Sequence, residues 1–309
     1  MQQKIRIRGS VNITLVLVVQ VTAWSLLWLA SHLNWIWSIP LGIIFSFLLL
    51  TNYALMHESA HHVFHRSLKL NYLFGVLSSS LFPMAFTMFE IPHRVHHFGN
   101  RTDPELFDYY APHENRFIKS VQWYGILTGL YYPFVPLGSI VMSLIPWIFR
   151  TPLFTKRRTF KVIFNDFKDK PLLLVRIETL FTIVYWIGMW YLLGLNWISI
   201  LIFYAFFGFN WSTRQFVTHA WTPRSILEGA SNLDTIKPMG MVLLNGQWDH
   251  VHHKHPYLPW TELKNKKYHE VTPIPYWKKY LSLWKGIRPL TEPEPHQYDV
   301  YIHPEITYY

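Results

Sequence analysis

The sequence contains no cysteine, and only 15% of its 309 residues are charged. Without cysteine there are no disulfides, thiolate-bound iron-sulfur clusters or thiolate zinc sites, so a bound metal would depend on histidine, carboxylates and water. Soluble domains carry about 25% charged residues, so this shortage of charge, with 50% apolar residues, predicts an integral membrane protein. The net charge of +10 does not indicate nucleic acid binding, because basic residues between apolar runs are typical of cytoplasmic membrane loops.

Long apolar runs predict four membrane spans in two hairpins. No Lys, Arg, Asp or Glu occurs between Arg8 and Glu58, a stretch too long for one span of about 20 residues and long enough for two. A second pair of apolar runs follows in the C-terminal half, around an uncharged turn at Gly194. The basic N-terminus is predicted to be cytoplasmic, so both hairpins return to the cytoplasm. The predicted spans are residues 11–31, 36–55, 172–193 and 197–212.

The uncharged segment 120–149 is predicted to stay on one side of the bilayer. Pro133 and Pro136 lie near its midpoint, and proline interrupts a helix. We therefore expect an interfacial or re-entrant helix pair. With residues 261–309 as a cytosolic cap, the prediction is one all-α, multi-pass domain over residues 1–309, with both termini on the cytoplasmic side.

Histidine is concentrated in three boxes, at residues 57–62, 93–97 and 249–253. Neutral imidazole is the commonest protein ligand for transition metals, and residues spaced i, i+3 and i+4 share one helix face. On this spacing the candidate ligands are His57, His61, His93, His96, His97, the isolated His219, Asp249, His252 and His253. Nine ligands suit two ions better than one. A nitrogen-rich set favours iron over magnesium or calcium and leaves zinc possible.

The order of these boxes resembles the membrane-bound di-iron fatty acid desaturase and hydroxylase superfamily, which includes carotenoid ketolases and hydroxylases. The resemblance covers about residues 50–260 and depends on HxxxH at 57–61, HxxHH at 93–97 and the third box. After His252 and His253, the residues Pro256, Pro259 and Leu263 complete a pattern that looks like the family's HHxxPxxPxxxL.

The resemblance implies a chemistry and a set of partners. Two iron ions would reduce dioxygen and form an oxidant able to remove hydrogen from an unactivated C–H bond of a long acyl or carotenoid chain held beside the bilayer. A separate protein, such as a ferredoxin or a cytochrome, would supply the electrons; no nucleic acid is expected as a partner. Desaturation of a fatty acyl chain is the leading expectation, with hydroxylation or ketolation of a carotenoid or other apolar lipid as the alternative.

Further residues near the boxes have expected supporting roles. Gln215 would hold a water on the metal, as an amide one turn before the lone histidine does in similar desaturases. Three carboxylates, Glu58, Asp103 and Glu105, are candidates to orient ligand imidazoles. His62 and His65 adjoin the first box and are weaker ligand candidates.

The third box departs from the family pattern at its first position. The family has His there, or Gln in some desaturases, and this sequence has Asp249. Carboxylates bind non-haem iron in many proteins, and Asp249 keeps the i, i+3, i+4 face with His252 and His253. The alternative is that His250 is the ligand in a shifted register.

Two other functions fit parts of the sequence. Residues 57–61 also match HExxH, in which two histidines bind zinc and the glutamate is the general base of a metalloprotease. That function would leave the second box and His219 without a role. A metal or haem carrier would place its ligands near the membrane midplane, whereas these boxes lie past the predicted span ends.

Overall fold

The computed structural model describes residues 3–156, 172–295 and 306–308, and these residues are mainly helical. The long helices are α1 Gly9–His32, α2 Ser38–Ala60, α3 Leu68–Leu81, α4 Phe86–Gly99, α5 Arg116–Leu127, α6 Phe134–Leu144, and, after the short α7 Pro152–Thr155, α8 Leu172–Leu193 and α9 Trp197–Val217. Shorter helices follow at α10 Lys237–Val242, α11 Asp249–Lys254 and α12 Tyr276–Leu283.

Short strands depart from the all-α prediction. They are β1 Gln3–Ile5, β2 Tyr109–Tyr110, β3 Leu233–Asp234, β4 Ile274–Pro275, β5 Arg288–Pro289 and β6 Ile306–Tyr308. Each pairs in parallel with one distant strand, as β1–β6, β2–β5 and β3–β4. Ladders of two or three residues carry no period-two pattern long enough to recognise in a sequence.

Two helical hairpins, α1–α2 and α8–α9, bring their turns together at one end of the molecule. The Asn196 amide donates to Ser31 Oγ at 2.9 Å, and the hydroxyls of Ser38 and Ser199 lie 3.0 Å apart. Helices α2 and α9 also pack closely, because a Cβ at Gly42 would lie only 3.0 Å from the Phe206 ring. The opposite ends of α2 and α9 therefore meet as well, and there they carry the first box and His219.

Polar side chains buried along α1 find partners on other helices. Asn12 Nδ2 donates to the Phe64 carbonyl and Gln20 Nε2 donates to the Leu77 carbonyl, both at 2.8 Å. Tyr185 of α8 donates to Gln20 Oε1 at 2.9 Å. An unpaired polar group is costly in an apolar environment, so these bonds fix the position of α1.

Three helical segments among the described residues are long and apolar enough to cross a membrane: Gly9–His32, Trp35–Ala60 and Leu172–Leu193. They coincide with three of the predicted spans. The fourth predicted span, 197–212, is helical but does not meet this criterion, because α9 continues to Val217 and includes polar residues such as Asn210 and Arg214. A fourth crossing is reached only if α3 and α4, which are bent by 100° at the break between them, count as one broken span.

The bend between α3 and α4 places the second box next to the other two boxes. Glu178, buried in α8, accepts hydrogen bonds from the Thr87 amide at 2.8 Å, the Thr87 hydroxyl at 2.9 Å and the Tyr72 hydroxyl at 2.6 Å. Thr87 is in the first turn of α4, where backbone amides lack helical partners. Glu178 thus holds the start of the helix that carries His93 to His97.

The segment 120–149 contains two helices, α5 and α6, separated by residues 128–133. The C-terminal helix α12 packs against α5 and α9 around Trp123, Val217 and Leu283. Trp123 Nε1 donates to the Leu283 carbonyl at 3.0 Å. These contacts brace the end of α9, from which His219 follows. The position of α5 and α6 relative to a bilayer stays a prediction.

Candidate metal centre

Five histidines from three separate segments converge in one group at the end of α2. Ligand nitrogens of His57, His61, His93, His97 and His252 all lie within 4.8 Å of one another. Spacing along α2 and α4 accounts for the pairs His57/His61 and His93/His97, and α11 adds His252 from the third box. The group is therefore assembled from all three sequence boxes.

The contacts inside this group suit a shared cation. His93 Nε2 lies 2.7 Å from His61 Nε2 and 3.2 Å from His97 Nε2, and His97 Nε2 lies 3.0 Å from His252 Nε2. Each imidazole nitrogen presents either one N–H or one lone pair in the ring plane, so it makes one such bond. Three contacts in a row among four Nε2 atoms cannot all be hydrogen bonds. Lone pairs directed at one metal ion explain the convergence.

A second group lies beside the first. Ligand nitrogens of His96, His219 and His253 fall within the same 4.8 Å limit. Its neighbours orient the rings: His96 Nδ1 lies 3.2 Å from Glu105 Oε2, and His219 Nδ1 lies 3.1 Å from the Gly229 carbonyl. Such outer partners fix the tautomer that leaves the other ring nitrogen available for a metal.

Asp249 and His250 of α11 face different partners. Asp249 Oδ2 is 3.2 Å from His219 Nε2, so the carboxylate faces the second group. His250 Nε2 is 2.6 Å from Glu228 Oε2, on the side of α11 that Lys254 shares. The geometry thus favours the Asp249 carboxylate, rather than the His250 imidazole, as the additional ligand of the second group.

The protonation states of the third box suit metal binding. Burial lowers the pKa of His252 and His253 well below the ordinary histidine value, so both are neutral near pH 7. Burial alone would raise the pKa of Asp249, but the adjacent His219 holds this pKa well below its usual range. Asp249 is therefore an anion. Neutral imidazoles and a carboxylate are the protonation states that ligate metals.

The remaining predicted residues divide between the centre and its surroundings. Glu105 touches His96, as expected, but Asp103 pairs with Arg224 at 2.7 Å. Glu58 accepts the Trp260 amide at 3.0 Å and so ties the first box to the end of the third. His62, which is solvent-exposed, lies 3.7 Å from Glu90, and His65 accepts the Ser67 amide; neither falls in the two groups.

A large apolar cavity ends at the metal centre. It encloses about 640 Å³ and is lined largely by aromatic and aliphatic side chains of α4, α6 and α9. A smaller space of about 70 Å³ lies among the ligands. His93, His96, Gln215 and His219 line both spaces and form the junction between them. The Gln215 carbonyl accepts from Tyr53 at 3.3 Å, and its buried Nε2 has no hydrogen-bond partner among the described residues.

A sequence model of the family described as "Fatty acid desaturase" matches residues 34–281, which include every box and the lone histidine. The chain belongs to this family of membrane-bound di-iron desaturases and hydroxylases. No curated protein and no solved structure gives a match. Family membership and the apolar helices together indicate a membrane-bound oxidoreductase of the desaturase or hydroxylase type.

Two interactions that support the fatty acid desaturase centre escaped sequence reasoning. Glu228 binds both His250 and Lys254 of α11. Arg101 and Asp108 form a buried ion pair at 2.9 Å, and Asp108 also accepts the Trp221 amide just after His219. Glu228 lies 22 residues before His250 and Asp108 lies 113 residues before Trp221, so no short-range spacing signals these contacts. The one general rule that applies is that a charged side chain is almost never fully buried unless it is paired.

Proposed function

We propose that this protein is an oxygen-dependent, di-iron fatty acyl desaturase. The observation that carries the proposal is the apolar cavity of about 640 Å³ whose inner end is lined by His93 of the first group and by His96 and His219 of the second. A chain in that cavity lies beside both candidate metal positions. The volume falls in the range of about 300–1,000 Å³ found for small-molecule sites.

The residues present fit two ions of a metal that accepts nitrogen and oxygen donors. His57, His61, His93, His97 and His252 would hold one, and His96, His219, His253 and Asp249 the other. Bound iron supplies the activation of dioxygen and the removal of hydrogen from an unactivated C–H bond. The donor set suits iron, because imidazole with carboxylate is a common non-haem iron environment.

The protein's own residues bind the substrate chain, orient it and shield it from water. The aromatic wall of the cavity excludes water from the reacting carbons, and its shape fixes which part of the chain reaches His93 and His96. Gln215 places an unpaired N–H at the junction of the two spaces, where it can hold a polar oxygen. Glu105 and the Gly229 carbonyl hold the rings of His96 and His219.

The overall reaction removes one hydrogen from each of two adjacent methylene carbons to leave a carbon–carbon double bond. Dioxygen takes up these hydrogens together with two protons and two electrons and leaves as two molecules of water. A separate electron donor, a ferredoxin or a cytochrome, is part of the proposal. If oxygen instead stays on the carbon, the product is an alcohol, which is the hydroxylase alternative.

Metal analysis of the purified protein and lipid analysis of an expressing host test the proposal. Two iron ions per chain and a new double bond in the host's acyl lipids are the expected results. Hydroxylated lipid or a keto-carotenoid would favour the alternative within the family. One zinc ion with peptidase activity would overturn the proposal in favour of a metalloprotease, and reversible metal transit without dioxygen consumption would favour a carrier.

A further inference from the structure

Helix α6 forms an exposed wall of the large cavity. Phe134 and Leu137 of α6 line the cavity, yet 65% and 49% of their surfaces are exposed. A residue can show both properties only where the cavity lies close to the outside of the molecule. The cavity therefore approaches the surface at α6.

The outside of α6 is apolar and lies beside a candidate membrane span. Ser143 of α6 donates to Thr179 Oγ1 of α8 at 2.9 Å, and Arg176 of α8 donates to the Ser143 carbonyl at the same distance. No Lys, Arg, Asp or Glu occurs between Lys119 and Arg150. Large exposed apolar side chains continue the surface, including Leu130, Phe134, Leu137, Leu144 and Trp147. Such a surface next to a span contacts lipid.

The polar part of the cavity is unsuited to a highly charged carrier group. Arg101 is the only Lys or Arg that lines the cavity among the described residues. Its guanidinium is paired with Asp108 through Nη1 and donates to the Thr222 carbonyl through Nη2 at 3.2 Å, and its Nε atom has no hydrogen-bond partner among those residues. A single cation already paired with a carboxylate suits an ester or carboxyl oxygen. The phosphates of a soluble thioester carrier call for several cationic groups.

Gly138 keeps the α6 wall open. It lines the cavity, and a Cβ added there would meet no atom within 4 Å. Glycine in a helix interior costs about 1 kcal/mol relative to alanine, so its helix propensity does not explain the residue. A large side chain at this position would narrow the cavity.

We propose that the substrate enters the cavity sideways from the bilayer, past Gly138, and that it is an acyl chain of a membrane lipid. This inference rests on the proposed function and specifies its substrate class. The entrance of the cavity faces lipid, and its inner end meets both candidate metal groups. An acyl chain that moves from the entrance to the inner end therefore stays in apolar surroundings. A water-borne thioester is the competing source of the same chain.

Photocrosslinking tests the entry route without turnover. The intact protein is placed in vesicles of phosphatidylcholine that carries a diazirine near the end of one acyl chain, then irradiated, and the crosslinked residues are mapped by mass spectrometry. Met84 and Phe89 line the cavity and are buried, with 6% and 8% exposure. A lipid chain in the wild-type cavity labels both residues. Gly138→Phe lowers their labelling by about tenfold or more, the effect of a side-chain-sized change in an apolar pocket.

Two variants control for general damage. Gly188 of α8 also has nothing within 4 Å of an added Cβ but does not line the cavity, so Gly188→Phe leaves the labelling of Met84 and Phe89 at the wild-type level. Gly138→Ala adds one methyl group and also leaves it unchanged. Wild-type metal content in Gly138→Phe shows that the fold is intact.

Equal labelling in wild type and Gly138→Phe overturns the inference. So does labelling of Met84 and Phe89 by a soluble diazirine acyl-CoA but not by the lipid probe. The outcomes separate this inference from the proposed function. Lipid crosslinks without any desaturated product from the iron-loaded enzyme would leave the entry route standing and refute the function. Desaturated product from a soluble thioester, without lipid crosslinks, would support the proposed function and refute the entry route.

Discussion

Asp249 is the only carboxylate among the nine candidate ligands, and the other eight are imidazoles. It makes the two groups unequal: five nitrogens in one, three nitrogens and an adjacent carboxylate in the other. An anionic oxygen stabilises a more highly charged metal better than a neutral nitrogen does. The second position is therefore expected to favour the more oxidised ion.

Replacing Asp249 tests its role as a ligand. Asp249→Ala is expected to lower bound iron from about two towards one per chain and to reduce activity to background, because the second group keeps only three donors. His250→Ala is the matched control, since His250 contacts Glu228 and not the second group, and it is expected to retain both ions. Metal content by mass spectrometry measures the difference. Full iron in Asp249→Ala with loss in His250→Ala would assign the ligand to His250 instead.

Glu105 tests the outer partners of the centre. Glu105→Gln weakens the contact that fixes the His96 ring, and loss of such a partner costs about 10–100-fold in metal affinity or activity. Its neighbour Asp103, which pairs with Arg224 and is half exposed, provides the control. Asp103→Asn is expected to leave metal affinity unchanged. If both variants lose metal affinity equally in a titration, the affinity depends on the segment that contains Asp103 and Glu105 and not on the contact between Glu105 and His96.

At the scale of elements, local patterns could be predicted and long-range partners could not. The i, i+3, i+4 spacing in α4 and α11 identified side chains that reach the metal centre, because the period of a helix is a local property. The structure divides each trio between the two groups, which this spacing did not predict. Long apolar runs located α1, α2 and α8 for the same reason. The 100° bend before α4 depends on Glu178, which is about 90 residues away in the sequence.

The C-terminal helix α12 carries a buried lysine that gives the protein a pH dependence. Burial lowers the pKa of Lys279 to about 8, from 10.5 in the unfolded chain. Between these values the unfolded state binds more protons than the folded state, so stability rises with pH in this window. The rise is on the order of 1–3 kcal/mol.

Thermal unfolding in detergent between pH 7.5 and 10.5 measures this effect. Relative to Lys279→Met, which cannot titrate at this position, the wild-type melting temperature is expected to rise across the window. Lys278, next to it in α12, shows no such burial, so Lys278→Met keeps the wild-type slope. Identical slopes in wild type and Lys279→Met would mean that Lys279 is solvated in solution.

For the whole molecule, the packing of the two hairpin turns predicts on which side of the membrane the metal centre lies. Asn196 bonds to Ser31, so the α1–α2 turn and the α8–α9 turn lie at one end, opposite the histidine groups. If α1, α2, α8 and α9 cross the bilayer, both turns are outside the cell and the metal centre is cytoplasmic. The basic N-terminus supports the same orientation.

The absence of native cysteine makes this orientation measurable, since each substituted cysteine is the only thiol in the chain. In intact cells an impermeant maleimide is expected to label Leu33→Cys and Trp197→Cys, one in each turn and both exposed. Lys264→Cys, beyond the third box, is expected to react only after lysis. Labelling of Lys264→Cys together with Leu33→Cys would place the third box on the side of the turns. Because the third box and His57 share one metal group, that result would contradict the membrane topology and leave the metal centre itself unchanged.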